Sequence, residues 1–337
     1  MSLSLIICPL CQGKCDRLWS QKVWHLPFSG AEFRLAKCDR CDVIFSWPRP
    51  DAAQLKVFYE TYFDFNWYRE RLLLKKVQAW HRWQRVRRLV ENSFHGRKRL
   101  LDIGCGHGLF LLWPKQLRWD AIGIDYASSA TDYAKNELGL NIVESDGDLL
   151  NISEKSIGQF DLITMWHVLE HASDPVAFMA HASKLLTPTG QVLVAVPNAL
   201  CPGMQRRREE WVWCQAPYIH TAHFSPEALR SVVEKVGLET VSIWSRDTWD
   251  ANRLFDIQLT NWLGAFRHRR QAMDQGTGKP GSRINFYLAE ALRLICYVIG
   301  GFKHWALGVE SNPSKGSELL ILAKPKSSSD HMGESLS

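Results

Sequence analysis

The stretch LLDIGCGHGLFL, residues 100–111, decides how this chain is read. An apolar run of strand character breaks into Gly104, Gly106 and Gly108 and then turns apolar again. Glycine reaches positive φ without a Cβ penalty and lets a ligand approach the backbone, so the three form a candidate cradle at the end of a buried strand. Spacing separates one kind of cradle from another. A dinucleotide turn reads G-x-G-x-x-G and a P-loop reads G-x-x-x-x-G-K-[ST], whereas residues 102–108 read D-x-G-x-G-x-G with no Lys-Ser or Lys-Thr behind them. The P-loop is excluded, and a nucleotide ligand of another kind stays open.

Outward from this turn the pattern is regular. RLLDIG, DAIGID, NIVESD, FDLITMW and QVLVAVP are short apolar runs separated by helix-length segments, which predicts a parallel sheet covered on both faces. LETVSIW and ELLILAKPK are further strands. Between QVLVAVP and LETVSIW, Ser225 can cap a helix, Pro226 fits its first turn, Leu229, Val232, Val233 and Val236 recur on one face, and Gly237 ends it. Asp125 closes the second strand about 20 residues past the turn, where a carboxylate can accept both ribose hydroxyls. A nicotinamide enzyme places an acid similarly, so Asp125 supports an adenosine ligand without separating the two.

The fourth strand and its surroundings separate them. FDLITMWHVLEHASDP, a helix ending in KLLTPTG and the strand QVLVAVPN, taken with the glycine turn, resemble the class I S-adenosylmethionine-dependent methyltransferases over residues 98–245. That resemblance implies an α/β fold with a Rossmann-like class I methyltransferase sheet and S-adenosylmethionine as the cofactor. It places the methionine part on Gly104, Gly106 and Gly108 with Asp102 and Cys105, the ribose at Asp125 beside Tyr126, and the adenine at Asp148 or, failing that, Asp146. Trp166, closing the fourth strand, joins the same set. The HVLEH segment is similar to the E-x-x-E-H of ubiquinone-pathway O-methyltransferases, which is associated with a divalent cation; here His167 stands in place of the first acid.

Methyl transfer from a sulfonium is an in-line displacement by a deprotonated or electron-rich nucleophile, so the protein must supply alignment and a base. His167 and His171 lie just beyond the fourth strand, and His220 and His223 lie in YIHTAHFSPEAL, all traced to the carboxyl edge of the sheet. His223 is the first candidate, because HFSP places it at the mouth of the next helix.

Cys8, Cys11, Cys38 and Cys41 form C-x-x-C twice, the spacing of a structural zinc site with four thiolates. Cys15 reads as a bystander. Followed by CDRCDVIFSWPRPD, this segment resembles the zinc-binding segment that precedes the methyltransferase domain in sugar C-methyltransferases. The domain reading is a zinc-binding module over 1–50, a helical linker or cap over 51–97, the cofactor-binding core over 98–249, a helical insertion over 250–315, the last core strand over 316–326 and a disordered tail over 327–337. An acceptor pocket is expected from the zinc module, the 59–91 helices and the 200–224 loop, with Tyr59 or Tyr62 over the cofactor and Trp211, Trp213 and Tyr218 to stack on a ring.

The expected acceptor is a small molecule, a sugar or a lipid-linked glycan, methylated on carbon or oxygen. Net charge of +6 over 337 residues permits an anionic partner without demanding one. The alternatives are an RNA methyltransferase using the zinc module and the basic helices as a platform, and a non-catalytic cofactor-binding scaffold. The first is disfavoured because no N-P-P-[YF] motif stands after the fourth strand. The N-terminus lacks the basic and apolar regions of a secretory signal, so the chain is expected in the cytoplasm. The 284–307 apolar stretch is broken by Glu290, Arg293 and Lys303, which disfavours a membrane span and leaves peripheral contact open. Oligomeric state is not legible.

Overall fold

The computed structural model describes residues 6–15, 18–25, 30–50, 72–90, 98–126, 128–145, 157–214, 216–246 and 312–326. The expected insertion over 250–315, apart from its last residues, lies outside them, as do the 284–307 stretch, the tail, Tyr59 and Tyr62. Among the described residues no helix is long and apolar enough to cross a membrane.

The N-terminal segment is built of short antiparallel strands. β1 (Ile6–Ile7) pairs with β2 (Lys14–Cys15), and β3 (Trp24–His25), β4 (Glu32–Lys37) and β5 (Ile44–Trp47) form an antiparallel meander. α1 (Leu72–Val90) comes next, a run without Gly or Pro. Ala79, Trp83, Val86 and Val90 recur at spacings of four, three and four and are all buried, so one stripe faces the core while Arg87 and Arg88 stay on the outer side.

The remaining elements alternate as expected. β6 (Arg99–Ile103), α2 (Leu112–Gln116), β7 (Asp120–Asp125), α3 (Ser128–Asp132, continued by a π-helical turn Tyr133–Glu137) and β8 (Asn141–Glu144) come first. Next are β9 (Phe160–Trp166), α4 (Pro175–Lys184), β10 (Leu186–Pro197) and α5 (Pro202–Arg207). β11 (Ala222–His223), α6 (Pro226–Lys235), β12 (Leu238–Arg246) and β13 (Glu318–Pro325) complete the series. Seven strands form one sheet in the order β12-β13-β10-β9-β6-β7-β8. The five from β6 to β10 are parallel, and β13 runs antiparallel between β10 and β12. This is the Rossmann-like sheet the resemblance implied.

Caps explain the helix starts. Asp174 accepts from the amides of Val176 at 3.0 Å and Ala177 at 2.9 Å, with Pro175 in the first turn of α4; Ser225 accepts from Ala228 at 3.0 Å, with Pro226 leading α6. The segment LTPTG departs from its expected place at the end of a helix. α4 stops at Lys184 and Leu186 already pairs with Phe160, so these residues form an irregular entry to β10, since Pro188 can neither donate nor continue the helix.

Two apolar layers cover the sheet. On one face α4 and α6 pack Met179, Leu229, Val232 and Val233 against Ile103, Ile163 and Val194, and the same cluster takes in Cys8, Leu10, Cys38 and Phe45 of the N-terminal segment. On the other, α1 packs Trp83 and Val86 against Leu100, Phe110 and Leu193. The N-terminal sheet is finished by the core: β11 pairs antiparallel with β5, Ala222 opposite Phe45 and His223 opposite Ile44. Arg49 reinforces the seam, donating to the carbonyls of Thr221 at 3.1 Å, Ala172 at 2.9 Å and Ser173.

Candidate active site

The carboxyl edge of the sheet collects the ends of β6, β7 and β9 with the start of β13, which runs the other way and so begins where they finish. Gly104, Gly106 and Gly108 take φ of 69°, 53° and 70°. A Cβ on Gly104 would fall 2.4 Å from Val168 Cγ2 and one on Gly108 2.5 Å from Leu140 Cδ1, whereas one on Gly106 would meet nothing within 4 Å among the described residues. The outer glycines therefore seat the turn against the protein, while the middle one is clear of every described side chain. Gly104 and Cys105 donate to Ile124 O at 2.8 and 3.0 Å, and Gly106 N–H donates to Asp125 Oδ2 at 2.7 Å. A carboxylate has lone pairs for further donors, so Asp125 can serve a ligand as well as the turn.

Behind the turn Asp102 is buried and accepts from Thr164 Oγ1 at 2.6 Å. Burial raises its pKa to about 7 against the opposing hydrogen bond from Thr164. The Cys105 sulfur packs over Gly123, where a Cβ would lie 2.6 Å from it, so Cys105 offers the cradle its backbone. Tyr126 comes directly after Asp125 and is half-buried. Trp166 is packed against Phe110 with ring centroids 5.5 Å apart, and the guanidiniums of Arg82 and Arg246 lie 4.9 and 5.6 Å from its ring. Asp146 and Asp148 lie outside the described residues.

All four histidines are brought together. His167 adopts φ 58° and is held at both nitrogens, Nδ1 3.1 Å from Glu170 Oε1 and Nε2 2.8 Å from Glu318 Oε1. Burial opposes its charge, but the bonds to Glu170 and Glu318 outweigh that and raise its pKa to about 9. Glu318 is buried, which alone would raise its pKa; Arg246, bonded to its other oxygen, and His167 hold it well below the usual carboxylate range. Trp213 stacks on His167 at 5.5 Å and 15°.

His171 and His220 lie 4.8 Å apart between ring centroids, and His220 and His223 6.2 Å. His171 Nδ1 is 3.0 Å from Ile219 O and His220 Nδ1 is 2.9 Å from Trp213 O. Burial lowers all three, His220 to about 3 and His223 to about 4. His223 is fully buried, and neither ring nitrogen is hydrogen-bonded among the described residues. Trp211, expected to face an acceptor, is only 2% exposed; its indole fills the space beside Met204 and Gly203 instead.

Glu318 and Arg246 were not singled out from sequence. Their only signal was an acid opening the otherwise apolar run ELLILA, a place where an unpaired charge would be costly to bury.

The four cysteine sulfurs lie within 4.8 Å of one another, with Cys8 to Cys41 and Cys11 to Cys38 each 3.5 Å. The two turns match: Cys8 N bonds Gly13 O and Gln12 N bonds Cys8 O, as Cys38 N bonds Val43 O and Asp42 N bonds Cys38 O. Zinc–thiolate bonds of about 2.3 Å at tetrahedral angles put sulfurs about 3.8 Å apart, so the donor set fits that ion.

A family model described as a methyltransferase domain matches residues 69–243. The ubiquinone biosynthesis O-methyltransferase of Methylococcus capsulatus is 30% identical over 112 residues, covering 32% of this chain and 47% of that protein. The protein of the same name from Rhodopseudomonas palustris is 36% identical over 103 residues, 30% of this chain and 40% of the relative. The chain thus spans about half the length of the curated relatives it matches. A solved SAM-dependent methyltransferase from Thermotoga maritima is 15% identical with a TM-score of 0.47, over 80% of this chain and 99% of that one.

Proposed function

The chain belongs to the methyltransferase-domain family, and from that premise we propose that it transfers a methyl group from S-adenosylmethionine to carbon or oxygen of a small-molecule acceptor, with sugars and lipid-linked glycans inside that class. The observation that carries this reading is the glycine turn: three residues at positive φ, the middle one clear of the other described residues, with the Asp125 carboxylate beside it. When bound, S-adenosylmethionine supplies an electrophilic methyl group. Gly104, Gly106 and Gly108 leave room for its methionine part and Asp125 accepts from its ribose.

His223 is the assigned base. Burial keeps it neutral at physiological pH, and among the described residues neither of its ring nitrogens has a hydrogen-bond partner, so a lone pair is open to the acceptor's proton. His167, charged and fixed between two carboxylates, positions Glu170 rather than exchanging protons. The four cysteines hold a structural zinc ion, and the seam of β5 with β11 makes that ion a support for the segment that carries His220 and His223.

Calorimetry with S-adenosylhomocysteine tests the reading. Wild-type protein is expected to bind it, and Asp125→Ala to bind at least tenfold more weakly, about 1.4 kcal/mol. Equal affinity in the variant, or uptake of a nicotinamide dinucleotide in its place, overturns it.

A further inference from the structure

Behind the site four charges stand in a row and alternate in sign. Arg246 ends β12 and Glu318 opens β13, opposite each other in the register of that pair. Arg246 Nε donates to Glu318 Oε2, and Glu318 Oε1 lies 2.8 Å from His167 Nε2. His167 Nδ1 in turn lies 3.1 Å from Glu170 Oε1. Both glutamates are fully buried.

Hydrogen-bond chemistry fixes the state of the ring between them. An ionised carboxylate only accepts, so Nδ1 and Nε2 must both carry protons and His167 is an imidazolium. Burial alone would raise the pKa of Glu170, but the hydrogen bond and charge of His167 outweigh it and hold that carboxyl below its ordinary value. A neutral ring would set a lone pair against a buried carboxylate oxygen, which is costly. The backbone is committed to the same arrangement, since His167 takes φ 58°, a conformation that persists only where the surroundings over-determine it.

The face of this ring is engaged as well as its edge. Trp213 lies over it with centroids 5.5 Å apart and planes 15° from parallel. An indole face attracts a cation, more strongly where water is excluded, so the charge of His167 is what holds this stack. Trp213 passes the constraint on. Its carbonyl faces His220 Nδ1 at 2.9 Å, which puts the proton of His220 on Nδ1 and the lone pair on Nε2. The two rings are 5.2 Å apart, and the His220 ring is 6.2 Å from that of His223. We propose that Glu318, with Arg246 behind it, is a positioning residue for the acceptor side of the site: it fixes His167 as an imidazolium, which seats Trp213 and so sets the tautomer of His220. The use of this in catalysis rests on the proposed methyl transfer with His223 as base, while the charge row itself does not.

The test is NMR of the ring nitrogens in full-length protein carrying isotope-enriched histidine, at neutral pH. In wild type the His167 ring, assigned by its loss in His167→Asn, is expected to show two protonated nitrogens, and the His220 ring, assigned by its loss in His220→Gln, a proton on Nδ1 alone. In Glu318→Gln the His167 ring is expected to become neutral and His220 to populate both tautomers, with the affinity for S-adenosylhomocysteine unchanged. Tryptophan emission gives a second readout, because a stacked imidazolium quenches indole: Trp213→Phe is expected to lower emission less in wild type than in the Glu318→Gln background. His167→Asn keeps a residue that tolerates positive φ and is expected to disturb His220 in the same way, so it decides the matter if Glu318→Gln does not fold. A neutral His167 in wild type overturns the proposal, and so does a His220 tautomer that is unchanged in the folded variants. Failure of wild type to bind S-adenosylhomocysteine, with these spectra as expected, would count against the methyltransferase reading alone.

Discussion

The glycine turn and the histidine–glutamate cluster share one sheet edge, and Val168 touches both, packing on Gly104 from within the HVLEH segment. They are built in opposite ways. The turn is seven consecutive residues whose backbone does the work, held by its own strand and by Ile124 O. The cluster is side chains from residues 167–171, 213, 220–223, 246 and 318, none of which means much without the others. A site made of backbone is set by local conformational preference; one made of buried charge is set by which partners arrive from elsewhere.

Substitutions can sharpen that contrast. Glu318→Gln should have the largest effect, since it removes a buried charge that holds both His167 and Arg246; breaking such pairs costs about 3–5 kcal/mol. Chemical denaturation should register the loss, and the affinity for S-adenosylhomocysteine in the folded fraction should be little changed. A large loss of that affinity would mean that turn and cluster are one unit.

Gly104→Ala should come next. The new Cβ would collide with Val168 while held at φ 69°, which combines left-handed strain and overpacking at about 2–4 kcal/mol together. The expected result is weaker S-adenosylhomocysteine binding together with lower stability, because the strain falls on the cradle itself. Unchanged binding would show that the turn tolerates what its geometry forbids. Ser225→Ala should be smallest, about 1 kcal/mol for a lost N-cap. It loosens the start of α6, directly behind His223, and should leave the turn untouched, so a thermal melt should shift slightly with no change in S-adenosylhomocysteine affinity.

Much of the fold was legible because its signals are local. Ser225, Pro226 and Gly237 bracket α6 as their chemistry demands, and Asp174 and Pro175 open α4 in the same manner. The alternation of apolar runs and helices from Arg99 onward could be read for the same reason. LTPTG was misplaced because a proline after a helical run shows that the helix must stop, yet carries no information on how early the neighbouring strand begins to pair.

The chain order of residue types settled the glycine turn, the acid beyond it and the two C-x-x-C pairs, since spacing of a few residues along a strand or turn translates directly into spacing in space. Which strand completes the N-terminal sheet, and that Arg246 and Glu318 stand behind His167, were decided only on folding. Those contacts join residues dozens to more than a hundred positions apart, and their free energy exists only once the sheet has excluded water from between them.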